Sequence, residues 1–171
     1  MNKSILIFFS LFLSITSCYS QEKVETLDTT TYFFIRHTEK DLSDPNNRNP
    51  NLTEEGKSRA QNWANMLADI KVDMVFSTDY IRTKQTADPI AKSKNLEIII
   101  YNPRHLNDPE FKQKTKGKTS VIVGHSNTTP AFVNTILGQE KYSSLSEKDY
   151  GKVFIVTVTG ENISDIVLNY N

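Results

Sequence analysis

Four side chains in this sequence are of the types that handle phosphoryl groups, and they arrive in an orderly way. The apolar run "TTYFFI" (30–35) ends in Arg36 and His37. "VDMVFS" (72–77) leads through Thr78 to Arg82, and "TSVIVG" (119–124) delivers His125. The chain has three histidines, and two of them directly follow predicted strands. Each residue alone has an ordinary reading: Arg36 as a surface cation, His37 as a satisfied strand-end imidazole, Arg82 as one exposed helix position, His125 as a strand cap. Together at one sheet edge, two guanidinium groups and two imidazoles would repel one another without an anion between them. Guanidinium forks match the non-bridging oxygens of a phosphate, and helix N-termini add backbone donors.

The elements that must position these residues alternate between strand and helix. After the first strand, the loop "DLSDPNNRNPN" (41–51) is dense in Asp, Asn and Pro and reads as exposed. Thr53 caps a helix whose first turn carries Glu54 and Glu55, and Ala60, Trp63, Ala64, Leu67 and Ile70 form its predicted buried face. The spacing predicts further helices over 78–95, kinked or ended near Pro89, near Asp108-Pro109, and over 127–138 with Gly138 as its stop. "LEIIIY" (96–101) is a third strand, and the run 119–124 reads as a strand buried on both faces. "KVFIVTV" and "ISDIVLNY" flank "TGEN" as a closing hairpin. This order implies a three-layer α/β/α domain over 30–171, with a mostly parallel central sheet and an antiparallel C-terminal hairpin. Connections are short, so no second or capping domain is expected. In such a sheet ligands bind beyond the carboxyl ends of the strands.

Composition restricts the partners. Twenty Lys and Arg balance twenty Asp and Glu, which points away from a nucleic acid or a charged membrane surface. Residues 1–20 carry a lysine, an apolar stretch from Ile5 to Ile15, and small polar residues, the layout of a secretory signal. The apolar stretch is shorter than the roughly 20 residues that a membrane-spanning helix needs. Its last part, "ITSC", resembles the lipobox of bacterial lipoproteins, in which the cysteine (here Cys18) is lipidated and becomes the mature N-terminus. The alternative is cleavage before Gln21, leaving a free protein. Either reading makes the protein exported, periplasmic or held at the cell envelope, with 21–29 as a short tether and no internal disulfide.

"RHTEK", "LTEEGKSRAQNWA", "FSTDYIRTKQTADPIA" and "VGHSNTTP", in this order, resemble the histidine phosphatase superfamily, also called phosphoglycerate mutase-like, over nearly all of the domain. Thr38, where many members have glycine, resembles the short bacterial branch. The resemblance implies that a neutral His37 attacks phosphorus and becomes a phosphohistidine. It also implies that Arg36, Arg82 and His125 hold the phosphoryl oxygens, that water hydrolyses the intermediate, and that no metal or cofactor takes part. By family order the general acid would lie in "YNPRHLNDPEF", with Asp108 the first candidate and Glu110 the next. An aspartate before a proline is also a good helix cap. His105 reads as solvated, Glu39 and Asp41 remain open as acids, and Ser126 and Asn127 are either helix-capping residues or backbone contacts to phosphate.

The expected function is hydrolysis of a small phosphorylated substrate. A protein phosphohistidine phosphatase and a non-catalytic anion-binding surface protein are the alternatives. A mutase is disfavoured because "TEKDLSDP" lacks the serine and asparagine with which mutase members hold a sugar-acid substrate. A metal site on His37, His125 and Glu39 is disfavoured because two adjacent arginines would repel a cation.

Overall fold

Successive side chains of a strand point to opposite faces, and the first strand shows what each face receives. In β1 (Thr29–Arg36), Phe33 and Ile35 pack with Trp63, Ala64 and Leu67 on one side of the sheet. Tyr32 and Phe34 pack with Phe111, Phe132 and Val133 on the other. The structure, a computed structural model, describes residues 27–170. The predicted leader, Cys18 and most of the tether lie outside the described residues.

Chain order is β1, α1 (Glu54–Met66), β2 (Met74–Ser77), α2 (Ile81–Ser93), β3 (Ile98–Ile100), α3 (Pro109–Thr115), β4 (Thr119–Gly124), α4 (Thr128–Leu137), β5 (Lys152–Thr159) and β6 (Asn162–Asn169). The six strands form one sheet in the order β3-β2-β4-β1-β5-β6. The first four are parallel to one another; β5 runs antiparallel to both β1 and β6. Helices α1 and α2 cover one face, where Ala87, Ile90 and Ala91 join Trp63 over Val75, Val121 and Val123. Helices α3 and α4 cover the other through Phe111, Phe132, Val133 and Ile136. The expected three layers and C-terminal hairpin are therefore present.

Several local expectations change. The predicted helix over 78–95 begins at Ile81, because Thr78 to Tyr80 form an extended turn at the end of β2. It then continues past Pro89 to Ser93, where Ile90 and Ala91 bury themselves in the core and outweigh the lost backbone donor. Helix α1 stops at Met66, so Leu67 is buried as its last cap while Ile70 lies beyond it and is exposed. The strands predicted over 72–77 and 96–101 shorten to β2 and β3.

Candidate active site

Register brings the strand-end residues together. Arg36 in β1 stands opposite Gly124 in β4, and Ser77 in β2 opposite Val123. The backbone continues this pairing past the strands: His37 N–H donates to the Gly124 carbonyl at 2.9 Å and Thr78 N–H to the Val123 carbonyl at 3.4 Å. Arg82 reaches the same edge from the first turn of α2. Arg36, His37, Arg82 and His125 line one cleft of about 400 Å³, with Lys40 and Glu147 also on its wall.

His37 is 3% exposed. Its Nδ1 lies 2.8 Å from the Thr38 carbonyl oxygen. A carbonyl only accepts, so Nδ1 carries the proton and Nε2 keeps its lone pair. Burial, with lesser contributions from Arg36, Arg82 and His125, pulls the imidazole down to about 3, and the ring is neutral at ordinary pH. Thr38 holds this turn in place. Its N–H donates to Thr86 Oγ1 at 3.1 Å, and its hydroxyl donates to the Gly56 carbonyl at 2.7 Å, tying the strand end to α2 and α1.

His125 takes the opposite tautomer. The Thr83 hydroxyl donates to the carbonyls of Thr78 and Tyr80, so the Thr78 hydroxyl donates to Thr83 Oγ1 at 2.9 Å. With its own proton spent, Thr78 Oγ1 accepts from His125 Nε2–H at 3.0 Å. Nδ1 is then left as an acceptor facing Arg82 Nη2, 3.4 Å away. Burial first, then Arg82, Lys40 and Arg36, pulls this ring down to about 4. The two imidazoles meet edge to face at 5.5 Å; Tyr80 also meets His125 edge to face, at 4.9 Å, while the Arg82 guanidinium lies over the Tyr80 ring at 4.5 Å.

Arg36, 1% exposed, is gripped by the loop between α4 and β5. Nη1 donates to the carbonyls of Ser146 and Asp149, at 2.6 and 3.2 Å, and Nη2 donates to Glu147 Oε2 at 3.1 Å. Its guanidinium lies over the Tyr150 ring at 4.4 Å. Arg82 is steadied from the 41–51 loop, its Nη1 donating to the Arg48 carbonyl at 3.4 Å, and Asn49 Oδ1 accepts the first N–H of α2, that of Ile81, at 2.8 Å. The buried Nε groups of Arg36 and Arg82 have no partner among the described residues. Buried donors of this kind suit an oxyanion, which could accept from both.

The remaining candidates separate. Asp108 caps α3, accepting from Phe111 N–H at 2.8 Å, and it lines a neighbouring cavity with His105 and Glu110 rather than this cleft. Glu39 pairs with Arg59 at 2.7 Å, and exposed Asp41 accepts the N–H of Ser43. Neither lines the cleft. Ser126 and Asn127 do line it; Asn127 precedes α4 without a side-chain cap bond, and Thr128 Oγ1 accepts from His125 N–H instead. No group of three or more His, Cys, Asp or Glu placed to hold a metal occurs among the described residues. Sequence reasoning missed Glu147 and Tyr150. Their stretch, "SSLSEKDYG", is polar and without periodicity, and nothing local announces that it folds back onto Arg36.

A parallel sheet with a hairpin edge and this strand-end cleft defines a phosphoglycerate mutase-like fold. The family model described as histidine phosphatase superfamily (branch 1) matches residues 32–103, which include Arg36, His37 and Arg82. Among solved structures, the protein histidine phosphatase SixA complexed with tungstate is similar with a TM-score of 0.63 at 16% identity, covering 81% of this chain and 96% of that one. YhfR from Bacillus stearothermophilus has a TM-score of 0.64 at 15% identity, covering 79% and 94%. A phosphoglycerate mutase from Bacillus anthracis str. Sterne gives 0.61 at 13%, covering 84% and 94%. At such identities the structures speak for the fold. No curated protein matches the chain. The resemblance read from the sequence is thus supported by a family model over residues 32–103 and, separately, by a phosphoglycerate mutase-like fold.

Proposed function

We propose that the protein is an exported, metal-independent phosphatase that hydrolyses a phosphomonoester through a phosphohistidine on His37. The observation that carries this reading is the state of that ring. Nδ1–H is committed to the Thr38 carbonyl and the imidazole is held neutral, so Nε2 is an available nucleophile inside a cationic cleft. Arg36 and Arg82 offer donors to the non-bridging oxygens and stabilise the charge that develops in transfer, the work a metal does elsewhere. His125, with Nδ1 directed at Arg82, takes a proton there once a phosphate dianion raises its affinity for one, and becomes a third donor. Water then cleaves the N–P bond. Export rests on the sequence of residues 1–20, with membrane attachment through a lipid on Cys18.

A second reading, removal of phosphate from a protein phosphohistidine, is favoured by the open cleft, which no further domain covers among the described residues, and by the likeness to SixA. The test is common to both. With chelator present, the protein should hydrolyse an aryl phosphate, and brief reaction followed by rapid quench should leave an acid-labile, base-stable phosphoprotein. His37→Ala should abolish both. A His37→Ala protein as active as wild type would sink the assignment, and release of phosphate faster from a phosphohistidine protein than from small esters would favour the second reading. Transfer of phosphate to an acceptor in place of its release to water would mark a mutase.

A further inference from the structure

The proposed reaction needs a proton for the departing oxygen, and the acids suggested by chain order do not face the cleft. Asp108 is occupied as the cap of α3, Glu110 lies with it in the neighbouring cavity, and Glu39 is turned to Arg59. Among the described residues that line the cleft, one carboxylate appears, that of Glu147. It lies 3.1 Å from Arg36 Nη2, 3.6 Å from Lys40 Nζ and 3.3 Å from Ser126 Oγ. The side chain is 68% exposed and sits on a turn of the α4–β5 loop, so it can rotate while the loop itself stays pinned to Arg36 through the Ser146 and Asp149 carbonyls.

We propose that Glu147 is the general acid of the reaction. The proposal rests on the phosphatase reading above and adds a catalytic group from outside the segment where the sequence placed it. Without substrate, Arg36 and Lys40 hold the carboxylate ionised. A phosphoryl group entering the cleft takes over those same donors and sets its own negative charge beside Glu147, and both changes favour the protonated carboxyl. In the first step the His37 Nε2–P bond forms, the ester P–O bond breaks, and the Glu147 proton passes to the leaving oxygen. In the second, water attacks phosphorus, the N–P bond breaks, and the Glu147 carboxylate takes the proton that water gives up. The carboxyl group is regenerated and His37 returns to its neutral form.

Leaving-group dependence tests this directly. The full chain, Glu147→Gln and Asp108→Asn are compared on aryl phosphates from 2,4-dinitrophenyl phosphate, whose leaving group needs no proton, to phenyl phosphate, whose leaving group does. For Glu147→Gln, kcat/KM, which reports only the steps through phosphorylation of His37, should fall by about 100-fold or more on phenyl phosphate and by less than about 10-fold on dinitrophenyl phosphate. Equal losses on both esters would overturn the proposal, because they would mean that Glu147 acts only through Arg36. A lower KM with unchanged kcat would overturn it too, showing a carboxylate that merely competes with phosphate. So would a leaving-group dependence that follows Asp108→Asn instead. A wild-type protein inactive on every ester would overturn the phosphatase reading itself, and the proposal with it.

Discussion

The two imidazoles of the cleft are kept neutral with opposite tautomers. His37 gives its Nδ1 proton to a backbone carbonyl; His125 gives its Nε2 proton to a threonine relay. Neutrality has a consequence for stability. The unfolded His37 titrates near 6.5, and the folded ring near 3. Between these values the unfolded chain binds a proton that the folded chain refuses, so stability falls as pH falls through this window; above 6.5 the ring contributes no slope. From pH 7 to pH 5 wild type should lose roughly 2 kcal/mol more than His37→Asn, measured by urea unfolding. Equal losses would show that the folded ring is not held neutral. The same residues show what a sequence discloses. Arg36, His37 and His125 follow apolar runs, and Arg82 lies in the first turn of the helix after β2, so their meeting could be read from the order of elements alone. Glu147 is brought in by a loop whose course is set by Arg36, far away in the chain, and local pattern carries no trace of that. Asp108 was legible as a cap, and capping is the role in which the structure shows it.

At the scale of elements, the site depends on how closely α1 approaches the turn after β1. Thr53 caps the helix through Gly56 N–H and donates its own N–H to the Glu39 carbonyl at 2.9 Å. Gly56 lies so near that an added Cβ would meet the Glu39 carbonyl oxygen at 2.2 Å, and that neighbour is backbone, which cannot swing aside. The capping threonine and the helical spacing of Ala60, Trp63 and Ala64 were plain in the sequence. The contact at Gly56 was not, because a glycine in a first helical turn looks like a weak helix former and nothing more. Gly56→Ala should therefore reverse the usual helix preference. In place of a gain of up to about 1 kcal/mol, overpacking should cost about 1–3 kcal/mol. Because Thr38 donates to the Gly56 carbonyl and itself orients His37, kcat should fall together with the urea midpoint. A variant as stable as wild type would show that α1 can shift without strain. Pro89 makes the complementary point: local rules would end α2 there, and burial of Ile90 and Ala91 carries the helix on.

For the whole molecule, a formal net charge of zero conceals an uneven distribution. Arg36, Arg82, Lys40 and Arg104 all line the cleft, against one carboxylate among the described residues, that of Glu147. Salt screens exposed charges over about 8–10 Å, but the buried Arg36 and its neighbours are screened much less, and their mutual repulsion opposes folding. Glu147 and the carbonyls of the α4–β5 loop offset part of it. An oxyanion bound between the arginines would offset more, and it would bind the folded state alone, since the unfolded chain does not bring these side chains together. Phosphate at about 100 times its dissociation constant should thus stabilise the protein by about 2.7 kcal/mol. For a domain of this size that is a rise in Tm of about 5–10 °C. Chloride at matched ionic strength should give no comparable rise, and Arg36→Ala should lose most of the phosphate effect. A Tm that responded equally to chloride and phosphate, or that rose as much in Arg36→Ala as in wild type, would mean that the cleft is not where the anion binds.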